Sequence, residues 1–199
     1  MQFWFEFAST YSYPAALRVE ALARQHGVTL EWKAFLLGPI FQAQGWNDSP
    51  FNLFPVQGRY MWRDLERICA DLELPLRQPS QFPRNSVLAA RVACRFAAEP
   101  WLPDFVRAVF RANFVEDQDI AQPEVLEHCL EILGLPGAKL LQQAQSAESK
   151  ALLRTQIEQA VALGIFGAPS FIVGDELFWG NDRLEAALAW AQHVGSIKR

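Results

Sequence analysis

The chain has 199 residues, 51% hydrophobic and 20% charged, enough for one domain with a full core or one carrying a large insertion, and too apolar for a disordered segment. Its 18 basic and 22 acidic side chains give a net charge of -4 with no long run of either sign, which argues against a nucleic-acid partner and for small-molecule chemistry. No stretch is long enough to span a bilayer, and MQFWFEFAST, broken at Glu6, lacks the layout of a secretory signal, so a soluble cytoplasmic protein is expected.

Residues 2–8, QFWFEFA, predict a buried strand that runs into a turn at STYS. From Tyr13 to His26 the apolar positions Ala16, Leu17, Leu22 and Ala23 recur at helical spacing, with Pro14 accepted in the first turn and Gly27 as a stop. Residues 28–36 alternate as a second strand, and a strand, helix, strand start predicts a parallel pair. Residues 37–58 are rich in Gly, Pro, Asn and aromatics and hold no sustained period.

From 59 to about 149 the pattern is all helical. Tyr60, Leu65, Cys69 and Leu72 mark one helix; Val87, Leu88, Val92 and Phe96 a second; Phe105, Val106, Val109 and Phe110 a third. Pro123 opens a fourth through Leu126 and Leu130, with Gly134 beyond its end, and a further helix ends near Gly164. GIFGAPSFIVGDELFWGNDRLEAALAWAQ then reads as a strand, a Gly-Asp turn, a second strand and a helix, with Asn181 as N-cap, Asp182 at the positive end of the dipole and Gly195 as the stop. Cys69, Cys94 and Cys129 are odd in number, form no Cys-x-x-Cys pair and have no metal-ligand spacing with His26, His128 and His193; packed thiols, surface histidines and no metal are expected.

The strand, helix, strand start, the late Gly-Ala-Pro before a hairpin and the final helix resemble the thioredoxin-like plan, with the helical block as an insertion. FEFASTYSYPA, GRYMWRDLERIC, FPRNSVLAARVA and GAPSFIVGDELFWGNDRLE together resemble the 2-hydroxychromene-2-carboxylate isomerase family, on the DsbA-like branch and related to kappa-class glutathione transferases. The resemblance implies an α/β fold of DsbA-like/kappa glutathione transferase architecture. Residues 1–36 and 150–199 would form the thioredoxin-like domain and 37–149 an all-α helical insertion. It implies a glutathione-dependent isomerase that converts 2-hydroxychromene-2-carboxylate to trans-o-hydroxybenzylidenepyruvate, or acts on a related aromatic-degradation intermediate. Glutathione would be the cofactor, a small aromatic keto acid the substrate and a homodimer the assembly. A kappa-like transferase and a non-catalytic thioredoxin-like binding module are the alternatives; disulfide exchange is disfavoured because no cysteine lies near Ser9 in sequence.

A redox thioredoxin carries Cys-x-x-Cys where this chain reads Ser9-Thr10-Tyr11-Ser12. A serine there can cap the helix, or donate a hydrogen bond to a glutathione thiolate; the resemblance aligns Ser9 with the family's catalytic serine. Pro169 resembles the cis-proline beside a thioredoxin site, which would let Ala168 pair with the cysteinyl backbone of glutathione; an ordinary trans turn is the other reading. Asn181, Asp182 and Arg183 resemble the motif that holds the γ-glutamyl group, with Arg183 either orienting Asp182 or binding directly. Relatives carry Gly-Asn and Lys-Gly where this chain has Gly45-Trp46 and Gln57-Gly58. Asn47 is the shifted candidate for the asparagine, and Lys33, Arg59 or Arg84 for the lost ammonium. Arg84 and Asn85 of FPRNS are candidates to meet a substrate carboxylate, and Trp46, Phe51, Phe54, Tyr60, Trp62 and Trp179 serve either as core or as aromatic walls of a pocket.

Overall fold

A computed structural model of the protein describes residues 1–197, the side chains of the last two excepted. Its sheet has the order β2-β1-β3-β4, so the first strand in sequence is central. β1 (Gln2–Phe5) runs parallel to β2 (Glu31–Ala34), as the strand, helix, strand start predicts, and antiparallel to β3 (Ser170–Val173). β3 turns through Gly174 and Asp175 into β4 (Glu176–Trp179), the exposed edge. A central strand is covered on both faces, which is why Phe3, Trp4 and Phe5 are all apolar and all buried.

Alternation along the strands sends neighbours to opposite faces. Phe3, Phe5, Phe171 and Val173 join the larger core with α1 (Ser12–Gln25) and the last helix, α10 (Leu184–Ile197). Trp4 and Ile172 point the other way, against Ile40 of α2 (Leu37–Ala43) and Ala160 of α9 (Ala147–Ala162). Burying each such aromatic or branched side chain contributes about 1.5–3 kcal/mol. Between the two halves of the sheet lie α3 (Pro50–Leu53), α4 (Pro55–Asp71), α5 (Val87–Arg95), α6 (Leu102–Phe114), α7 (Pro123–Glu131) and α8 (Gly137–Ala144). Val106, Val109 and Phe110 make α6 the inner wall of the larger core.

Several elements differ from the sequence expectation. The first strand stops at Phe5 because the Ser9 N–H donates to the Glu6 carbonyl at 3.0 Å and closes a turn. Residues 37–58 contain two short helices that their pattern hides: Ile40 is the one buried residue of α2, and α3 buries none. α8 precedes the helix that ends near Gly164 as a separate element. Asn181 starts a 3-10 turn, Asn181–Arg183, instead of standing next to α10 as its N-cap, and its side chain accepts from Arg18 with no capping hydrogen bond among the described residues. α10 also passes through Gly195 to Ile197, a tolerated position at about 1 kcal/mol relative to alanine.

Cys69 and Cys129 are buried and Cys94 half-buried, all three as free thiols. Burial pushes their pKa values up to about 11 for Cys69 and Cys129 and about 12 for Cys94. His128 and His193 are exposed, while His26 is half-buried behind α1.

Candidate active site

Ser9 sits in the turn between β1 and α1. Its hydroxyl accepts the Ser12 N–H at 3.3 Å and donates to the Ala168 carbonyl at 2.9 Å, joining the α1 entrance to a segment 159 positions away. Helix capping and donation toward a ligand thus share one geometry: the lone pair serves the helix, and the proton faces outward to residue 168.

Ala168 precedes Pro169 across a cis peptide bond. The Ala168 N–H has no acceptor among the described residues, while the Pro169 carbonyl accepts the Gly180 N–H at 2.9 Å. Gly167 is required by a close approach, since a Cβ there would stand 2.3 Å from Nε1 of Trp179. Trp179 packs edge-on against Phe166 with ring centroids 4.8 Å apart, and both rings are about half exposed beside this segment.

Gly180, at φ 113, turns the chain from β4 into the Asn181–Arg183 turn. Asn181 is buried and its Oδ1 accepts from Arg18 Nη2 at 3.0 Å, while Arg18 Nη1 reaches Glu185 at 2.6 Å. Arg18 therefore clamps α1 to the head of α10. Asp182 is exposed and pairs with Arg183 at 3.2 Å. Across the α1 entrance, Tyr11 donates to Asp64 Oδ2 of α4 at 2.9 Å. Burial raises the Tyr11 pKa first, then the Asp64 hydrogen bond and charge, with Tyr60 and Asp182 adding to it, which places Asp182 within electrostatic reach of Tyr11.

Glu6, whose carbonyl closes the Ser9 turn, has a buried side chain. Oε2 accepts the Leu37 N–H at 3.0 Å and Oε1 accepts the Ser86 hydroxyl at 2.9 Å, tying the Ser9 turn to the start of α2 and to the FPRNS segment. Burial raises the Glu6 pKa, and these two hydrogen bonds offset part of the rise.

Residues 1–189 match the family model for a DSBA-like thioredoxin domain. The chain belongs to the DSBA-like thioredoxin family. It is 32% identical to a 2-hydroxychromene-2-carboxylate isomerase of Sphingobium xenophagum, over 93% of this chain and 94% of that relative. The human glutathione S-transferase kappa 1 is 24% identical over 93% of this chain and 87% of its own length. A solved 2-hydroxychromene-2-carboxylate isomerase superposes with a TM-score of 0.84 at 27% identity, covering 100% of this chain and 98% of that one.

Within this DSBA-like chain, Ser9 and Ala168 are in direct contact, and Pro169 is joined to Asn181 and Asp182 through Gly180. Arg183 joins this group through its ion pair with Asp182, and Trp179 through its approach to Gly167, whereas Asn47, Arg84 and Asn85 have no contact with it among the described residues. Arg84 is the main correction. It is 5% exposed, and Nη1 donates to the Gln118 carbonyl at 2.7 Å and to Asn113 Oδ1 at 3.1 Å, while Nη2 contacts Asp117 and Ser80. Its two terminal nitrogens are thus engaged within the protein and not presented to a substrate carboxylate, while Nε is buried without a partner. Asn113 in turn links it to the strand end, its Nδ2 donating to the Phe7 carbonyl at 3.1 Å, two residues before Ser9.

Asn85 is exposed, and its Oδ1 accepts the Val87 N–H at 2.9 Å as a local cap of α5. Asn47 is exposed in the loop between α2 and α3. Of the candidates for the lost ammonium, Lys33 pairs with Glu31 at 3.4 Å and Arg84 is buried, whereas Arg59 is exposed with no ion pair among the described residues. Trp46 packs between Phe41 and Phe54 and Trp62 against Phe82, while Tyr60 is 63% exposed.

Sequence reasoning missed Glu6 as a site residue although its signal was present, a single carboxylate in an aromatic strand that can be buried only with partners. Tyr11, Asp64, Arg18 and Asn113 carried no such local signal.

Proposed function

We propose that this protein is a glutathione-dependent isomerase of 2-hydroxychromene-2-carboxylate or a related aromatic-degradation intermediate, with Ser9 as its catalytic residue. The observation that carries the reading is the Ser9 hydroxyl, held at the entrance of α1 and donating at 2.9 Å to the Ala168 carbonyl beside a cis proline. The isomerase name of the relatives supports the reaction class, and the kappa transferase relative supports the thiol.

The side chains fit glutathione at two of its ends. Ser9 offers an O–H to the sulfur, Ala168 an unpaired N–H to the cysteinyl backbone, and Asp182, with Asn181 and Arg183 beside it, a carboxylate to the γ-glutamyl ammonium. Asn47 and Arg59 are the proposed contacts at the third end. When bound, glutathione supplies a thiolate whose reversible addition allows rotation about a former double bond of an unsaturated keto acid.

The protein's part follows from counting protons. A serine hydroxyl has one. To donate to a thiolate, Ser9 must release the Ala168 carbonyl, which then accepts from an extended ligand while the Ala168 N–H donates to it, as in strand addition. Ligand seating and thiolate stabilisation are thereby coupled in one rotation of the Ser9 hydroxyl. We place the keto acid at the seam between the thioredoxin-like domain, residues 1–36 and 150–199, and the helical domain, residues 37–149. A cytoplasmic homodimer completes the proposal.

Two variants test it. Ser9→Ala removes both the proton and the cap, whereas Ser9→Asp keeps a cap acceptor and places a negative charge beside the sulfur. Both are expected to lose glutathione-dependent isomerisation by about 10²-fold or more, the cost of deleting one preorganised donor, and Ser9→Ala to raise the apparent pKa of bound glutathione. An unchanged rate in Ser9→Ala removes Ser9 from the mechanism. Mass spectrometry separates the readings: a stable conjugate released with turnover identifies a kappa-like transferase, and no glutathione binding at millimolar concentration in calorimetry identifies a binding module.

A further inference from the structure

The first turns of α5 and the α8–α9 junction line an open cleft of about 320 Å³. It contains none of Ser9, Ala168 or Asn181. Val87, Leu88 and Arg91 line one wall, and their spacing puts them on a single face of α5. Gln145 and Lys150, from the α8–α9 junction, line it too, together with Asn85 and Ala121.

Two cations, Arg91 and Lys150, therefore share one cleft that no acidic side chain lines. Neither forms an ion pair among the described residues. The nearby carboxylates are engaged elsewhere: Glu148 with Arg95 at 2.6 Å, and Asp119 with the Ala121 N–H at 3.0 Å and the Gln122 amide at 2.9 Å. Nε of Arg91 is buried and has no hydrogen-bond acceptor. Arg91 and Lys150 thus bring uncompensated positive charge to a cleft that also offers the apolar side chains of Val87 and Leu88.

We infer that this cleft is a second ligand site that takes a small organic carboxylate. The carboxylate accepts from the Arg91 guanidinium and the Lys150 ammonium, with the Gln145 amide as a further donor. The apolar body of the ligand lies on Val87 and Leu88. The cleft shares none of Ser9, Ala168, Pro169, Asn181, Asp182 or Arg183, although Asn85, one of the two candidates for a substrate carboxylate, lines it.

Salicylate is the probe, titrated into the 15N-labelled full-length protein and followed by NMR. The expected result is saturable shifts at the Leu88 amide and Arg91 Nε–H, with affinity weakened at least tenfold in Arg91→Gln and in Lys150→Gln. Lys150 is exposed, so its variant keeps the fold and carries the test even where Arg91→Gln does not. Acetate, which lacks the apolar body, is expected to bind more weakly. Shifts confined to Ser9 and Ala168, unchanged affinity in Lys150→Gln, or acetate binding as tightly as salicylate would overturn the assignment.

Discussion

Replacing Arg84 with methionine removes a guanidinium and keeps most of its apolar stem. The Asp117 carboxylate, Asn113 Oδ1 and the Gln118 carbonyl then lose their shared donor in a region where the arginine side chain is 3% and Asp117 12% exposed. Removing the shared donor leaves the buried Asn113 Oδ1 without its partner, which costs about 1–3 kcal/mol. For a chain of this size each kcal/mol is worth roughly 2–4 °C, so the melting temperature is expected to fall by about 2–12 °C.

Acid titration adds a second signature. The Ser80 N–H, and after it the Arg84 hydrogen bond, hold the Asp117 pKa down to about 2 from 3.8. A carboxylate with a depressed folded-state pKa stabilises the fold above its unfolded value, and that contribution is lost as pH falls from about 4 toward 2. The acid limb of the stability curve should be shallower in Arg84→Met, but not flat, because Ser80 still donates. The assays are thermal unfolding at pH 7 and urea denaturation between pH 2.5 and 7 for both proteins, alongside steady-state kinetics. A melting temperature within 2 °C of wild type, together with a large rise in KM for an acidic substrate, would refute the structural role and return Arg84 to substrate binding.

Glu6→Gln preserves both hydrogen bonds, since an amide oxygen can accept from Leu37 and the amide NH₂ can donate to Ser86. Because the Glu6 pKa is raised by folding, wild-type stability relative to the variant is expected to fall as pH rises above the unfolded carboxyl value, and to level off above the folded one; a pH-independent difference in urea midpoints would contradict this. Gly180→Ala places a side chain on a φ of 113 with its Cβ 2.5 Å from Asp182 Oδ1. Backbone strain of about 1–3 kcal/mol should lower stability and displace Asp182, read as weaker glutathione binding in calorimetry.

The parts of the fold that were legible in the sequence rest on local chemistry. An aromatic run with one charge reads as a central strand, a proline in a first turn reads as a helix start, and Gly-Ala-Pro before an apolar tetrapeptide reads as the approach to β3. Residues 37–58 were not legible because α2 and α3 bury too little to imprint a period on the sequence. Arg84 was misread for a different reason. An arginine is exposed by default, and the groups that bury this one lie 29–34 positions further on. The clamp from Arg18 to Asn181 spans 163 positions, and without it Asn181 before an apolar helix reads as a cap.

Ser9 shows why local sequence leaves its own role open. A helix cap needs only the hydroxyl lone pair, and donation to a ligand needs only the proton. One serine satisfies both at once, so the residue type and the flanking STYS cannot separate them. The contact with Ala168 uses the proton without settling its role: the Ala168 carbonyl accepts it at 2.9 Å, while the Ala168 N–H has no acceptor among the described residues. Under the proposed function an extended ligand would pair with residue 168 as the Ser9 hydroxyl turns from that carbonyl to the ligand sulfur, so substitution at residue 168 is expected to weaken glutathione binding, read by calorimetry, and unchanged affinity would count against the strand-addition mode.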